Sequence, residues 1–91
     1  LNSSLWTPDF VTLGGGANTA DSNYIGLPTA TLSLVDTGDG TSWITITGTV
    51  TSTINTITFT VDENNTGSSR SAQIKATDGI NDPLLTIIQN V

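Results

Sequence analysis

The chain has 91 residues, enough for one domain with a thin core, and it contains neither cysteine nor histidine. This composition excludes disulfides, ordinary zinc sites and catalysis by Ser-His-Asp or Cys-His groups. Eight acidic and two basic residues give a net charge of −6, which argues against nucleic acid and anionic membrane surfaces as partners.

The first third of the chain predicts two short strands with a flexible excursion between them. Residues 10–13 (Phe-Val-Thr-Leu) fit a short strand. Residues 14–23 begin with three glycines and predict a flexible loop. Residues 24–28 fit a second short strand, which Pro28 ends.

From residue 31 onward, apolar and polar residues alternate with the period of two that is typical of half-buried strands. The pattern is clearest over residues 56–61, where Ile57, Phe59 and Val61 share one face and threonines occupy the other. Residues 84–88 are apolar on both faces, which is typical of a strand covered on both sides or lying at a domain contact. The remaining strands are predicted at 31–34, 43–47 and 71–76.

Segments rich in Gly, Asn and Asp separate these strands, at residues 36–40, 63–67 and 78–83. Six or seven short strands in a chain of this length predict an all-β, immunoglobulin-like sandwich of two antiparallel sheets. A small open barrel is the alternative architecture. We expect the sandwich to form a single domain over residues 1–91, without a membrane-inserted segment, because no apolar run has the length to span a bilayer.

The positions of the acidic residues indicate that they form hydrogen bonds in turns, more than that they act in catalysis or bind a metal. All of the carboxylates that could act as an acid–base pair, such as Asp62 with Glu63, fall in predicted turns. Asp36 and Asp39 resemble part of a calcium loop, but the longer spacing of an EF-hand is absent. We therefore expect no catalytic residue and no cofactor, with Asp36 and Asp39 as weak calcium candidates.

Sugar binding commonly uses exposed aromatic rings beside amide groups. The parity of Phe59 places it in the core, and Trp43 opens an apolar strand, which favours burial. Burying both Trp43 and Ile44 requires a bulge, a strand end or cover on both faces. Trp6 and Tyr24 remain as ligand contacts, with Asn23 and Asn81 beside them, and packing of both rings in the core or at an edge is the alternative.

The C-terminal half, residues 41–91, resembles the BACON domain family. The similarity lies in four segments that follow one another in order: Ser42-Trp43-Ile44-Thr45-Ile46, Ile57-Thr58-Phe59-Thr60-Val61-Asp62-Glu63-Asn64, Arg70-Ser71-Ala72-Gln73-Ile74 and Leu85-Thr86-Ile87-Ile88-Gln89. The N-terminal half departs from the family pattern, because no tryptophan lies between Trp6 and Trp43.

Four residues in these segments match the family motif, and each is explained by a structural role: Trp43, Asn64, Arg70 and Gln89. We expect Trp43 to anchor the core, Asn64 to form a turn and the stem of Arg70 to cover apolar surface. Gln89 is suited to satisfy backbone groups near the end of the last strand.

The resemblance implies an immunoglobulin-like extracellular module of Bacteroidetes-type gut bacteria or their phages, secreted, on the cell surface or in a virion. It implies two functions. One is carbohydrate or mucin binding, with host glycans as partners. The other is a structural role, as a spacer in a surface enzyme or as a ligand-free module of a phage tail protein, with neighbouring domains of the same polypeptide as partners.

Overall fold

The computed structural model describes residues 5–77, 79 and 82–91, and these residues form eight β-strands without an α-helix. Most of the predicted strands are present, at nearly the predicted positions. The strands are β1 Trp6–Thr7, β2 Phe10–Leu13, β3 Asn18–Ile25, β4 Thr31–Asp36, β5 Ile44–Ile46, β6 Ile54–Val61, β7 Arg70–Thr77 and β8 Leu84–Gln89.

The strands form two four-stranded sheets that face each other, as the sequence predicts for a sandwich. The first sheet has the order β1-β3-β6-β5, and the second has the order β2-β8-β7-β4. Five pairings within the described residues are antiparallel, but β2 and β8 pair in parallel, which the fully antiparallel prediction missed.

The core lies between the sheets and is built by alternation along each strand. On β6, Ile57, Phe59 and Val61 are buried, as their parity predicts, while the threonines between them point outward. Ala72, Ile74 and Ala76 of β7 face them, together with Leu85 and Ile87 of β8. These side chains remove apolar surface from water on both sides of a single interface, which is the main stabilising contribution in a domain of this size.

The prediction of a flexible excursion over residues 14–23 is wrong for most of that segment. Residues 18–23 belong to β3, which is eight residues long and pairs with the whole of β6. The inward positions of β3 carry Ala20, Ser22 and Tyr24, and only Tyr24 is a large apolar residue. Small and polar inward residues weaken the hydrophobic alternation on which strand prediction depends.

The chain crosses the sandwich from one end to the other. Trp6 pairs with Tyr24 near the Ile25–Ile54 end of the first sheet. At the opposite end, the Asn90 amide donates to the Leu13 carbonyl at 2.8 Å. The longest dimension of the molecule is 38 Å, against 21 and 19 Å in the other directions. The chain therefore enters and leaves this elongated domain at opposite ends.

Candidate functional site

The predicted sugar-binding aromatics lie in the interior. Trp6 is 2% exposed and Tyr24 is 0% exposed, and their ring centroids are 5.2 Å apart with the planes tilted by 50°. The Trp6 indole nitrogen donates to the Pro83 carbonyl at 3.2 Å. This burial corresponds to the core-packing alternative, and it leaves neither ring a face on which a sugar could stack.

The two asparagines assigned to the same site are not brought together with these rings. Asn23 is exposed on the outer face of β3, opposite to the buried side of Tyr24, and its Oδ1 accepts a hydrogen bond from Thr56 Oγ1 at 2.9 Å. Asn81 lies outside the described residues. The structure therefore does not assemble a sugar site from this set.

The four family-like residues meet at the end of the sandwich where the chain exits, and Arg70 and Gln89 form the centre of their network. Gln89 is fully buried, and its Nε2 donates to the carbonyls of Asp62 at 2.8 Å and Gly16 at 3.1 Å. Its Oε1 accepts from Arg70 Nε at 2.8 Å. The side chain thus ties β8 to the loops that follow β2 and β6, as predicted for a residue that satisfies backbone groups.

The Arg70 guanidinium also stacks on a tryptophan. Its Cζ lies 4.5 Å from the centroid of the Trp43 ring, and its Nη2 donates to the carbonyls of Asp62 and Glu63 at 3.0 and 3.2 Å. Trp43 is 4% exposed and precedes β5, so that the strand end allows both it and Ile44 to be buried. A guanidinium held over an aromatic face gains cation–π energy, and here it closes this side of the core.

Asn64 forms the turn that the sequence predicts. Its Oδ1 accepts from the backbone and the hydroxyl of Thr66, at 3.1 and 2.7 Å. Its Nδ2 donates to the carbonyls of Ser68 at 2.8 Å and Asn90 at 3.2 Å. We call this set of four residues the exit-end network: Arg70, Gln89, Asn64 and Trp43. Their polar groups are engaged in bonds within the protein and offer little to a ligand.

The carboxylates of Asp36 and Asp39 are engaged by backbone amides. Asp36 Oδ1 accepts from the amides of Gly38 at 2.7 Å and Gly40 at 3.0 Å, and these bonds hold the pKa of the carboxyl below its usual 3.8. Asp39 Oδ2 accepts from the Ser71 amide at 2.9 Å. Within the described ranges, no three acidic side chains are grouped as a metal would require.

An open groove lies between the sheets at the edge formed by β4 and β5. Its volume is about 410 Å³, and its lining is aliphatic and hydroxylic: Ala30, Thr31, Leu32, Ile46, Gly48, Thr49 and Val50. The lining contains neither an aromatic ring nor a charged side chain. It therefore lacks the groups that usually orient a polar ligand.

The outer face of the second sheet carries an exposed aromatic residue that is not among the predicted ligand contacts. Phe10 on β2 is 49% exposed and lies opposite Thr86 of β8. Gln73 of β7 pairs with Thr86 on the other side and donates to its hydroxyl at 3.3 Å. Leu84, 38% exposed, pairs with Lys75 beside them. The two-faced apolar pattern of residues 84–88 was the signal that this outer face is partly apolar.

Comparison with known proteins identifies the family and the fold. The family model named BACON, described as "Putative binding domain, N-terminal", matches residues 33–90. The search of curated proteins found no significant match.

Two solved structures share the fold. One is a Bacteroides ovatus GH5 xyloglucanase in complex with a XXXG heptasaccharide, with a TM-score of 0.77, 17% identity and coverage of 91% of this chain. The match takes up only 17% of the xyloglucanase chain, so the similarity concerns one module of that enzyme. The other is a Bacteroides thetaiotaomicron protein solved by NMR, with a TM-score of 0.64, 14% identity and coverage of 91% of this chain and 76% of that one.

Proposed function

The chain belongs to the BACON family, and from this premise we propose that it is a non-catalytic accessory module that separates its neighbours within a larger secreted, cell-surface or virion protein. The observation that carries the proposal is the path of the chain, which enters at the Trp6 end and leaves at the Val91 end of a domain 38 Å long. A domain with this path sets a fixed distance between whatever is attached to its two ends.

Burial of the aromatic residues supports the same role. Trp6, Tyr24 and Trp43 all contribute to packing, and the exit-end network fastens the last strand to the loops around it. A sandwich held together in this way is stiff, whereas a flexible linker of similar length samples a broad range of end-to-end distances.

A distance measurement between the two ends tests this role. The chain has no cysteine, so Thr7→Cys and Asn90→Cys introduce the only two spin-labelling sites, both at exposed positions. Leu13 lies beside Gln89 at the end of β8, and Thr7 lies six residues before Leu13. The backbones of residues 7 and 90 should therefore be roughly 20 Å apart, and pulsed electron resonance measures the distance between the two labels attached there.

The expected result is a single narrow distance distribution in buffer that broadens strongly in concentrated urea. A broad or multiple distribution under native conditions would contradict the spacer role. A variant labelled at Thr37 and Asn90 in the same protein shows how much width the labels themselves contribute.

Glycan binding is the second candidate, and the outer face around Phe10 favours it. An exposed ring beside Gln73, Thr86 and Lys75 offers one apolar surface with amide, hydroxyl and ammonium groups at its border. The heptasaccharide in complex with the matched xyloglucanase makes xyloglucan oligosaccharides a natural probe, and mucin O-glycans are the other.

Calorimetric titration of the chain with these two glycan classes distinguishes the candidates. A glycan module should give weak, saturable heat that Phe10→Ala abolishes and that Ile54→Ala, an exposed apolar residue on the other sheet, leaves intact. Flat heats at millimolar glycan would leave the spacer role as the function of this chain.

A further inference from the structure

The strands nearest the two chain ends lie side by side and run in the same direction. β2 and β8 are in parallel register, with Phe10, Val11, Thr12 and Leu13 opposite Thr86, Ile87, Ile88 and Gln89. Two flanking bonds extend the ladder, from the Thr86 amide to the Asp9 carbonyl at 3.0 Å and from the Asn90 amide to the Leu13 carbonyl at 2.8 Å.

This arrangement determines how tension between the ends acts on the ladder. The N-terminal segment leaves β2 toward the Trp6 end, and the C-terminal segment leaves β8 toward the Val91 end. Because the strands are parallel, pulling the ends apart slides β2 and β8 in opposite directions along their common axis. Their hydrogen bonds lie across this direction and are loaded together in shear, instead of one after another.

Beyond the short β1, the β2–β8 ladder is the connection that joins the N-terminal segment to the second sheet. Among the residues that the structure describes, β2 is an edge strand, with β8 as its one neighbour in the sheet. β8 is held on its other side by six register pairs with β7 and by the buried side chain of Gln89. β1 contributes only two register pairs with β3. Tension that breaks the domain must therefore break the β2–β8 ladder.

We propose that this chain bears mechanical tension along its long axis, with the β2–β8 ladder as the clamp that resists unfolding. The proposal extends the spacer role from setting a distance to maintaining it under load. A module that separates a surface-attached part from the rest of a protein experiences such a load whenever the two parts are pulled apart. The spacer role would stand on its distance measurement even if the clamp failed.

Single-molecule force spectroscopy tests the clamp by pulling on the domain in two geometries. The sequence of the β2–β8 ladder is the same in both. Handles on the two chain ends load the ladder in shear. Handles on Gly14→Cys and Asn90→Cys, which lie together at the Leu13 end, open the ladder from that end one bond at a time. Gly14 has open space around its Cα, so the added side chain meets nothing.

The rupture force for end-to-end pulling should exceed that for the opening geometry by on the order of twofold or more, at the same loading rate. Equal forces in the two geometries would overturn the proposal.

A matched pair of proline variants provides the second test. The carbonyls of Asp9 and Leu13 face β8, so the backbone of Val11, two residues from each, also faces β8, whereas that of Thr12 faces away. Val11→Pro removes a clamp bond and should lower the end-to-end rupture force substantially, while Thr12→Pro should change it little. Equal effects on rupture force, once the two variants are matched for thermal stability, would argue against the clamp.

Discussion

Replacing Gln89 with alanine should lower the free energy of unfolding by about 3 kcal/mol. The side chain is fully buried and bonds to carbonyls on two loops and to the Arg70 guanidinium. Its loss takes away the acceptor of the Arg70 Nε and the donor to the Gly16 carbonyl, and it opens a cavity under the exit end. Urea unfolding followed by tryptophan fluorescence measures the change, provided that the denaturant slope stays constant.

The matched control is Gln73→Ala, which removes the same side chain from the neighbouring strand β7. Gln73 is half-buried, and within the described residues its side chain donates one long bond, to the Thr86 hydroxyl, so its replacement should cost less than about 1 kcal/mol. If the two variants lost equal stability, the exit-end network would not be the structural centre that its contacts indicate.

Replacing Trp6 with alanine should also cost about 3 kcal/mol, because the indole is buried against Tyr24 and bonds to the Pro83 carbonyl. Thermal and urea unfolding measure the loss. A tryptophan that served a ligand from an exposed position would show no such cost. The experiment therefore separates the observed core position from the sugar-binding role that the sequence suggested.

The control for this variant is Phe10→Ala, which removes an aromatic side chain that is half exposed and should cost less than about 1 kcal/mol. If Trp6→Ala does not fold, Trp6→Phe keeps an aromatic ring but loses the bond to Pro83 and should cost about 1 kcal/mol. Wild-type stability in both Trp6 variants would contradict the interior placement of the ring.

The sequence predicted the parts of the fold that depend on strong alternation. Arg70 was expected to cover apolar surface with its stem, whereas the structure shows its guanidinium stacked on Trp43. Ile57, Phe59 and Val61 are buried together, Trp43 is buried, Asn64 bonds within a turn and Gln89 bonds to backbone carbonyls. For these residues, the residue type and its neighbours in the sequence indicate what the side chain does. Local patterns are what a lone sequence carries most reliably.

The features that the sequence did not predict depend on contacts between residues that are distant in the chain. The sequence predicts a flexible segment over residues 18–23 because Ala20 and Ser22 occupy the inward positions, and it is pairing with β6 and β1 that makes this segment part of a strand. The burial of Trp6 depends on Tyr24 and Pro83, which are distant in sequence. The parallel pairing of β2 with β8 joins residues more than seventy positions apart. No short-range pattern encodes such contacts.

The arrangement of β7 has a consequence for digestion by trypsin, which cuts only after lysine and arginine. The chain has two such residues, Arg70 and Lys75, and both lie in β7. Lys75 is paired with β8 on one side and with β4 on the other, whereas Arg70, the first residue of the strand, is paired with β8 alone. A protease must draw its substrate out as a free extended segment, so the peptide bond after Lys75 is accessible only when the second sheet comes apart. Tryptic cleavage after Lys75 therefore reports the population of the opened state, not surface flexibility.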